Sequence, residues 1–412
     1  MAKIRLVLVG SMIVMLMALS ILTASTSYTK TLYVGGTMAL TGAYAEDTAA
    51  VLAGYQDYIK YVNETKRLAP WRKEKFPADI TLELLWRDDE LKPPKALSIY
   101  EELKAKGILV FRGPGTPQVM ALKDRLFEDK MGAPSMATGA YLLNPPQSVF
   151  TYYPIYTDSA AAAAEWFLSK WKEKRKPRFA YFTNDTFGRT VVIPALTNYI
   201  KKLGYEFVGT QYVPMVVTSP PTTQLMWLKK NKVDFTFGCM INPGAQPTVK
   251  EAVRLGMGPH LDYKITFACA TPAHLPVFTP AMGKLGDGFV VAGGFPPLHD
   301  LSIPGIKFCN DIQKYRSKKV THIQYLGGIL EVMIQTEALR LTMQKVPFDK
   351  LTPRAVLENG FYMIKNFDTG GISNTPLTYG PGDIEGVDKV RIDQQINSKI
   401  VKQGVWPVHH IY

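Results

Sequence analysis

The sequence predicts an α/β protein of two lobes, each built on a parallel sheet, and three observations carry that prediction. Short β-branched or aromatic runs alternate with helix-period segments along the chain, and the alternation restarts near residue 150. The length, 412 residues, suits two to three domains at about 150 residues each. An apolar share of 46% with 20% charged residues is ordinary for a packed core and excludes disordered and collagen-like chains.

The elements follow in order. Thr31 to Gly35 predicts the first strand, and 47–65 a helix with Val51, Tyr55, Tyr58, Ile59 and Val62 on one face. Residues 80–85 predict the next strand, and 94–106 a helix stopped by Gly107. Ile108 to Phe111 is a third strand, followed by a helix that opens at Thr116-Pro117. Alternating elements of this length imply a parallel sheet covered on both faces by helices.

In the second half, strands are expected at 178–183, 205–212, 233–237 and 264–267, with helices at 189–203, 222–230 and 244–255. Each half has about 120 residues, an ordinary lobe, and no low-complexity linker separates them. The Pro/Gly-rich stretch 293–304 and the loop 368–381 read as later connections, so the chain crosses between lobes more than once. Segments 389–393 and 399–402, joined by Asn397-Ser398, predict a closing hairpin. The expected architecture is two Rossmann-like lobes with central parallel sheets joined by a multi-strand hinge. Residues 28–148 plus 273–372 are assigned to lobe 1, and 149–272 plus 373–412 to lobe 2.

The formal charge of +13 raises the question of nucleic acid or an anionic membrane surface. Part of it sits in residues 1–27, which read as a secretory signal: Lys3 and Arg5, an apolar run from Leu6 to Leu22, and a small-residue tail at 23–27. Cleavage is expected between Ala24 and Ser27. The competing reading is an uncleaved anchor, since the run is at the short end of a bilayer span. No cysteine lies near the tail, which excludes lipid anchoring through one. Removing Lys3 and Arg5 takes the 48 basic side chains to 46 against 35 acidic, or +11. These charges are spread over solvated faces such as 170–178. They lack the aromatic interleaving of single-strand binders, so no nucleic-acid partner is expected. Beyond residue 27 no apolar run is long enough to cross a membrane, and an exported, soluble, monomeric chain is expected.

In open α/β sheets ligands bind beyond the carboxyl ends of the strands, where helix N-termini present free N–H groups. Four turns have that character. The first, 41–47, carries Tyr44 among small residues; in the second, 112–117, Gly113 and Gly115 precede Thr116 as N-cap and Pro117 at N1. Residues 137–140 and 184–188 are of the same kind. Ordinary helix capping accounts for each turn taken alone.

Catalytic patterns are missing: no Gly-x-Ser-x-Gly elbow, no His-Glu-x-x-His, no Walker loop, and no third glycine after Gly113 and Gly115 for a dinucleotide fingerprint. Asp88 and Asp89 look like an acid–base pair, but they precede Lys92-Pro93-Pro94, where a turn uses carboxylates to order the chain. The six histidines, including the adjacent His409 and His410 read as surface residues, show no metal spacing. Cys239, Cys269 and Cys309 form at most one bridge and read as buried thiols. No enzyme activity, cofactor or metal is expected.

The order of the turns along the chain is more telling than any one of them. Gly36 to Gly42 (GTMALTG), Trp86 to Ala96 (WRDDELKPPKA), Phe111 to Thr116 (FRGPGT), Pro134 to Gly139 (PSMATG), Asn184 to Gly188 (NDTFG), Val233 to Gly238 (VDFTFG) and Pro376 to Gly380 (PLTYG) together resemble the substrate-binding proteins of ABC transporters. The similarity is to the leucine/isoleucine/valine-binding family of the type I periplasmic-binding-protein fold, and it covers essentially the whole chain after residue 27. The resemblance implies a periplasmic protein that closes two lobes on a small solute and delivers it to an ABC permease. A ligand-sensing regulator on the same fold is the alternative.

The resemblance also implies site residues. Thr116, with the backbone N–H groups of Ala137 and Thr138, would hold a ligand carboxylate in the first lobe. Phe187 and Met240 would close over it from the second, Tyr156 and His322 would line the cleft, and Tyr44 of the first turn is a further candidate read from the residues themselves. One departure stands out. Amino-acid binders of the family hold the α-ammonium with an acidic residue just after the strand at 264–267, where this chain reads Phe267 to Thr271 (FACAT) with no Asp or Glu. A buried ammonium without a counter-charge costs several kcal/mol. A carboxylate ligand lacking that ammonium, aromatic or aliphatic, is therefore expected; an acidic group from elsewhere would restore a branched-chain amino acid.

Overall fold

The computed structural model describes residues 29–113, 115–271 and 273–412; the expected signal at 1–27 lies outside them. In the first lobe β1 (Lys30–Met38) is the centre of a parallel sheet, with β2 (Ile80–Asp88) and β3 (Val110–Arg112) on its two sides. The short pair β4 (Ala133–Ser135) and β5 (Val149–Thr151) continues the layer through a bridge between Gly113 and Ser135. Helices α1 (Ala45–Thr65), α2 (Pro93–Ala105) and α3 (Thr116–Glu128) follow the three main strands, as the alternation predicts. Gly115 is the N-cap of α3, so Thr116 is its first helical residue rather than its cap.

The second lobe carries a seven-stranded sheet. In chain order its strands are β6 (Arg178–Asn184), β7 (Glu206–Val213), β8 (Phe235–Gly238), β9 (Thr266–Ala270), β10 (Val290–Ala292), β11 (Lys389–Ile396) and β12 (Lys399–Pro407). In space the order is β12-β11-β10-β9-β8-β6-β7, parallel from β7 to β10 and antiparallel in the closing hairpin. That hairpin turns through Asn397 and Ser398, both with positive φ, the backbone a tight primed turn requires. Period-two alternation divides the core in two: Phe179 and Tyr181 face one apolar cluster, Ala180 and Phe182 the other. Helix α4 (Tyr156–Lys170) covers the first face, with five consecutive buried alanines that let it lie close on the strands. On the other face lie α6 (Thr222–Lys230), α7 (Asn242–Arg254) and α8 (Leu275–Met282). The helix expected from 189 starts later: a 3-10 turn, Phe187–Val191, precedes α5 (Pro194–Lys202), whose proline occupies the first turn.

The lobe boundaries drawn from sequence need correction. Residues 273–292 belong to the second lobe, because α8 packs Phe278 on Phe289 and β10 pairs with β9. Residues 377–387 belong to the first, where Leu377, Tyr379, Ile384 and Val387 join its core. The chain therefore crosses between lobes three times, near 152–155, 293–295 and 385–388. Strand β10 is three residues long, too short a run to separate from the glycine-rich loop after it.

Helix α10 (Gln324–Met343) is buried on nearly every side and crosses α1. The crossing is set by glycine: a Cβ on Gly328 would sit 2.1 Å from the Val51 carbonyl oxygen, and one on Gly54 would sit 2.5 Å from that of Tyr325. Helices α9 (Pro304–Ile312) and α11 (Pro353–Asn359) complete this lobe. No helix among the described residues is long and apolar enough to cross a membrane. The three cysteines are buried free thiols.

Candidate functional site

The carboxyl ends of both sheets face each other across the crossings, and a small cavity of about 30 Å³ lies between them, room for about one water. The first lobe supplies Tyr44 before α1, Gly115 and Thr116 at the start of α3, Met136 and Thr138 after β4, and Gln324 opening α10. Tyr153 and Tyr156 come from the first crossing and Thr271 from the end of β9. No charged side chain lines this cavity among the described residues. A larger open groove of about 850 Å³, walled by Trp171, Arg175, Asp234 and Tyr263, lies at the amino ends of β6 and β8, away from the helix N-termini.

The lobes touch here. The Tyr156 N–H donates to the Thr138 carbonyl at 2.7 Å, and the Thr116 and Thr138 hydroxyls both face the Tyr156 phenol. Tyr44 packs its ring 6.3 Å from Phe187, which is 6.1 Å from Tyr156. Asn184 builds the turn that presents Phe187. Its Oδ1 accepts from the N–H groups of Thr186 and Gly188, both at 3.0 Å, and its amide donates to the Cys239 carbonyl. Gly188 is required in that turn, since a Cβ there would meet Thr183 Oγ1 at 2.3 Å and the Cys239 carbonyl at 2.9 Å.

Of the residues expected from sequence, Tyr44, Thr116, Thr138 and Tyr156 line the cavity, and Phe187 backs two of them. Ala137 does not: it is buried, and its N–H is taken by Ser135 Oγ at 2.9 Å. Met240 does not either; it is buried with Phe182, Val213 and Val217 in the core behind the sheet. His322 stands one step back, its Nδ1 accepting from the Gln324 N–H at 3.3 Å. Asp88 and Asp89 order their turn as expected, accepting from the N–H groups of Leu40, Glu90 and Leu91.

Sequence reasoning missed Tyr153, Gln324, Met136 and Thr271 in the wall, and Asp47 and His274 beside it. Tyr153 Oη and Gln324 Oε1 are buried with no hydrogen-bond partner among the described residues, so a ligand oxygen and a ligand donor both have a waiting counterpart. Thr271 stands in the segment where an acidic residue was sought, and its hydroxyl donates to the Gly293 carbonyl at 2.8 Å. Beneath Met136 the buried guanidinium of Arg112 pairs with Glu331 at 2.8 Å and bonds the Thr37 carbonyl, while Tyr152 donates to the other Glu331 oxygen. Its charge is therefore compensated inside the first lobe, and its Nη2 contacts Met136 Sδ at 3.3 Å.

Asp47, in the first turn of α1, lies 3.7 Å from the Nε2 of both His274 and His322. Burial, then the neighbouring Glu46, raises its carboxyl to about 7. Burial, then His322, pushes His274 down to about 3, so its imidazole is neutral; its Nε2 lies 2.9 Å from Gln324 Nε2. Burial raises the Tyr44 and Tyr153 phenols well above their ordinary range. The wall thus offers neutral hydroxyl, phenol and amide groups, which suits binding of a polar solute better than proton transfer.

A family model described as periplasmic binding protein matches residues 31–374. The chain belongs to this family. Periplasmic binding proteins are transporter solute-binding proteins rather than enzymes, and their solved structures share this fold. A branched-chain amino acid ABC transporter protein from Thermus thermophilus with bound valine is 21% identical with a TM-score of 0.79, covering 93% of this chain and 97% of its own. A fatty acid ABC transporter substrate-binding protein from Thermomonospora curvata is 22% identical with a TM-score of 0.76, covering 93% and 94%. A solute-binding protein from Rhodopseudomonas palustris BisB5 in complex with 3,4-dihydroxy benzoic acid is 17% identical with a TM-score of 0.71, covering 92% and 98%. No curated protein matches the chain.

Proposed function

We propose that this periplasmic binding protein is exported and captures a small organic carboxylate lacking an α-ammonium between its lobes, then delivers it to an ABC permease. The observation that carries the reading is the cavity wall. Hydroxyl and phenol groups of Thr116, Thr138, Tyr153 and Tyr156 converge with no charged side chain among them, and Thr271 stands where an ammonium would need an acid. Neutral donors preorganised by helix and crossing hold a carboxylate without a buried cation. The similar proteins named for fatty acid and for 3,4-dihydroxy benzoic acid support this ligand class. Export rests on the signal-like residues 1–27.

Asp47 favours a second reading. It is a carboxylate beside Tyr44 and Tyr153 with no partner closer than the two imidazoles among the described residues, and a ligand ammonium would complete it; the similar protein with bound valine supports that ligand class. A thermal-shift screen of aromatic and aliphatic acids against leucine and valine separates the two. Acids are expected to stabilise the protein and the amino acids are not; stabilisation by leucine or valine alone transfers the function to the second reading.

A further inference from the structure

Three residues remote in sequence meet at the hinge: Asp158 in the first turn of α4, Glu385 on the third crossing, and His410 in the C-terminal tail. A carboxylate oxygen of each acid and a ring nitrogen of His410 lie within 4.8 Å of one another. Asp158 is 0% exposed. Its Oδ1 accepts from the N–H groups of His409 at 2.9 Å and Ile411 at 3.3 Å, whereas Oδ2 is buried without a hydrogen-bond partner among the described residues. Glu385 Oε1 accepts from the Ile155 N–H at 3.0 Å, leaving Oε2 facing His410 Nδ1 at 3.2 Å.

Two buried carboxylates side by side repel and need positive charge. Among the described residues no lysine or arginine forms an ion pair with either, and the His410 ring, 56% exposed, is the one basic group at hand. The backbone has already satisfied one oxygen of each acid. The remaining oxygens and the imidazole nitrogen make a mixed oxygen and nitrogen donor set, of the type that borderline divalent metals take.

We propose that Asp158, Glu385 and His410 bind a divalent transition-metal ion, with the exposed side of His410 leaving a coordination position to water. The ion joins the first crossing, the third crossing and the tail, and so braces the hinge at a point separate from the solute cavity. Spacing along the sequence could not reveal it, because the three ligands lie on three distant segments.

The test is calorimetric titration of Zn²⁺ into the full chain after treatment with a chelator, paired with thermal melting. One equivalent is taken up with proton release, and the melting temperature rises by several degrees. His410→Asn keeps a residue tolerant of the left-handed backbone at that position, where φ is 53°, and weakens uptake at least tenfold. Asp158→Asn, nearly isosteric, does the same. Tyr153→Phe, in the solute cavity, leaves Zn²⁺ uptake unchanged, so failure here is distinguishable from failure of the solute reading. Absence of stoichiometric uptake, or unchanged affinity in both ligand variants, overturns the proposal and leaves a His410–Glu385 ion pair in its place.

Discussion

Asp47 Oδ1 lies 3.7 Å from His274 Nε2, and the contact joins the two lobes beside the cavity: Asp47 opens α1 of the first, His274 caps α8 of the second. His322 is equally close to the same oxygen, and the two imidazoles stand edge to face with centroids 6.2 Å apart. Opposite protonation demands meet at this point, because burial favours the neutral form of both the carboxyl and the imidazole.

The signs follow from the two shifts. His274 is pushed down from 6.5 to about 3, so it contributes stability that is present above pH 6.5 and lost as pH falls toward 3. Asp47 is raised from 3.8 to about 7, so its contribution is present at low pH and lost as pH rises through 7. Glu46, His322, Tyr44 and Tyr153 face the pair and remain in both variants. Relative to wild type, His274→Gln gains stability as pH falls from 7 to 4, and Asp47→Asn loses it, each by up to about 1.4 kcal/mol per pH unit. Chemical denaturation at several pH values checks this; parallel curves for both variants would refute it.

Tyr153→Phe removes a buried hydroxyl that has no hydrogen-bond partner among the described residues. Its melting temperature stays level or rises, because no hydrogen bond is lost and an unsatisfied group is removed. Ligand affinity falls about tenfold, the value of one hydrogen bond at about 1.4 kcal/mol. Calorimetry with the best ligand of the thermal screen reads the second effect.

Phe187→Ala and Met240→Ala part company. Both side chains are buried, at 3% and 2% exposure, and each truncation costs about 2 to 5 kcal/mol of stability. Phe187→Ala also weakens ligand binding, since Tyr44 and Tyr156 lose the ring that holds them. Met240→Ala leaves affinity within about twofold, because its contacts lie in the core behind the sheet. Urea unfolding and ligand titration of the same two variants separate the roles.

Gly328→Ala forces α10 away from α1. Its Cβ would lie 2.1 Å from the Val51 carbonyl oxygen, which is backbone and cannot swing aside, so destabilisation reaches about 3 kcal/mol, the upper end of ordinary overpacking. Denaturant midpoints measure it. Gly107→Ala is the contrasting case: no atom lies within 4 Å of its Cβ, and only the positive φ of 84° opposes it, at about 1 kcal/mol.

The sheet-and-helix alternation was readable because parallel strands buried on both faces are short apolar runs, and the helices between them keep one apolar stripe. Helix 222–230 was read to the residue. Strand β10 was not, since three residues at the edge of a glycine-rich loop carry no periodicity, and missing it displaced the lobe boundary. In the site, Thr116, Thr138, Tyr44 and Tyr156 were legible because they sit in turns beyond strand ends. Ala137 and Met240 were misplaced because position in a motif does not say whether an N–H is already taken by Ser135, or which face of a sheet a side chain joins. Tyr153 and Gln324 carry no local signal, for they reach the cavity by a crossing and by a helix from late in the chain, and His274 comes beside it at the cap of α8.

The proposed ligand is a carboxylate without an α-ammonium, held by neutral donors with Asp47 left to its two imidazoles. Calorimetric titration of the wild-type protein with 3,4-dihydroxybenzoate, a medium-chain fatty acid, leucine and valine, each repeated on Thr116→Val, tests it most directly. One-to-one binding of at least one acid is expected, weakened about tenfold or more by Thr116→Val, with no heat from the amino acids. Tight binding of leucine or valine, with neither acid bound, would contradict it.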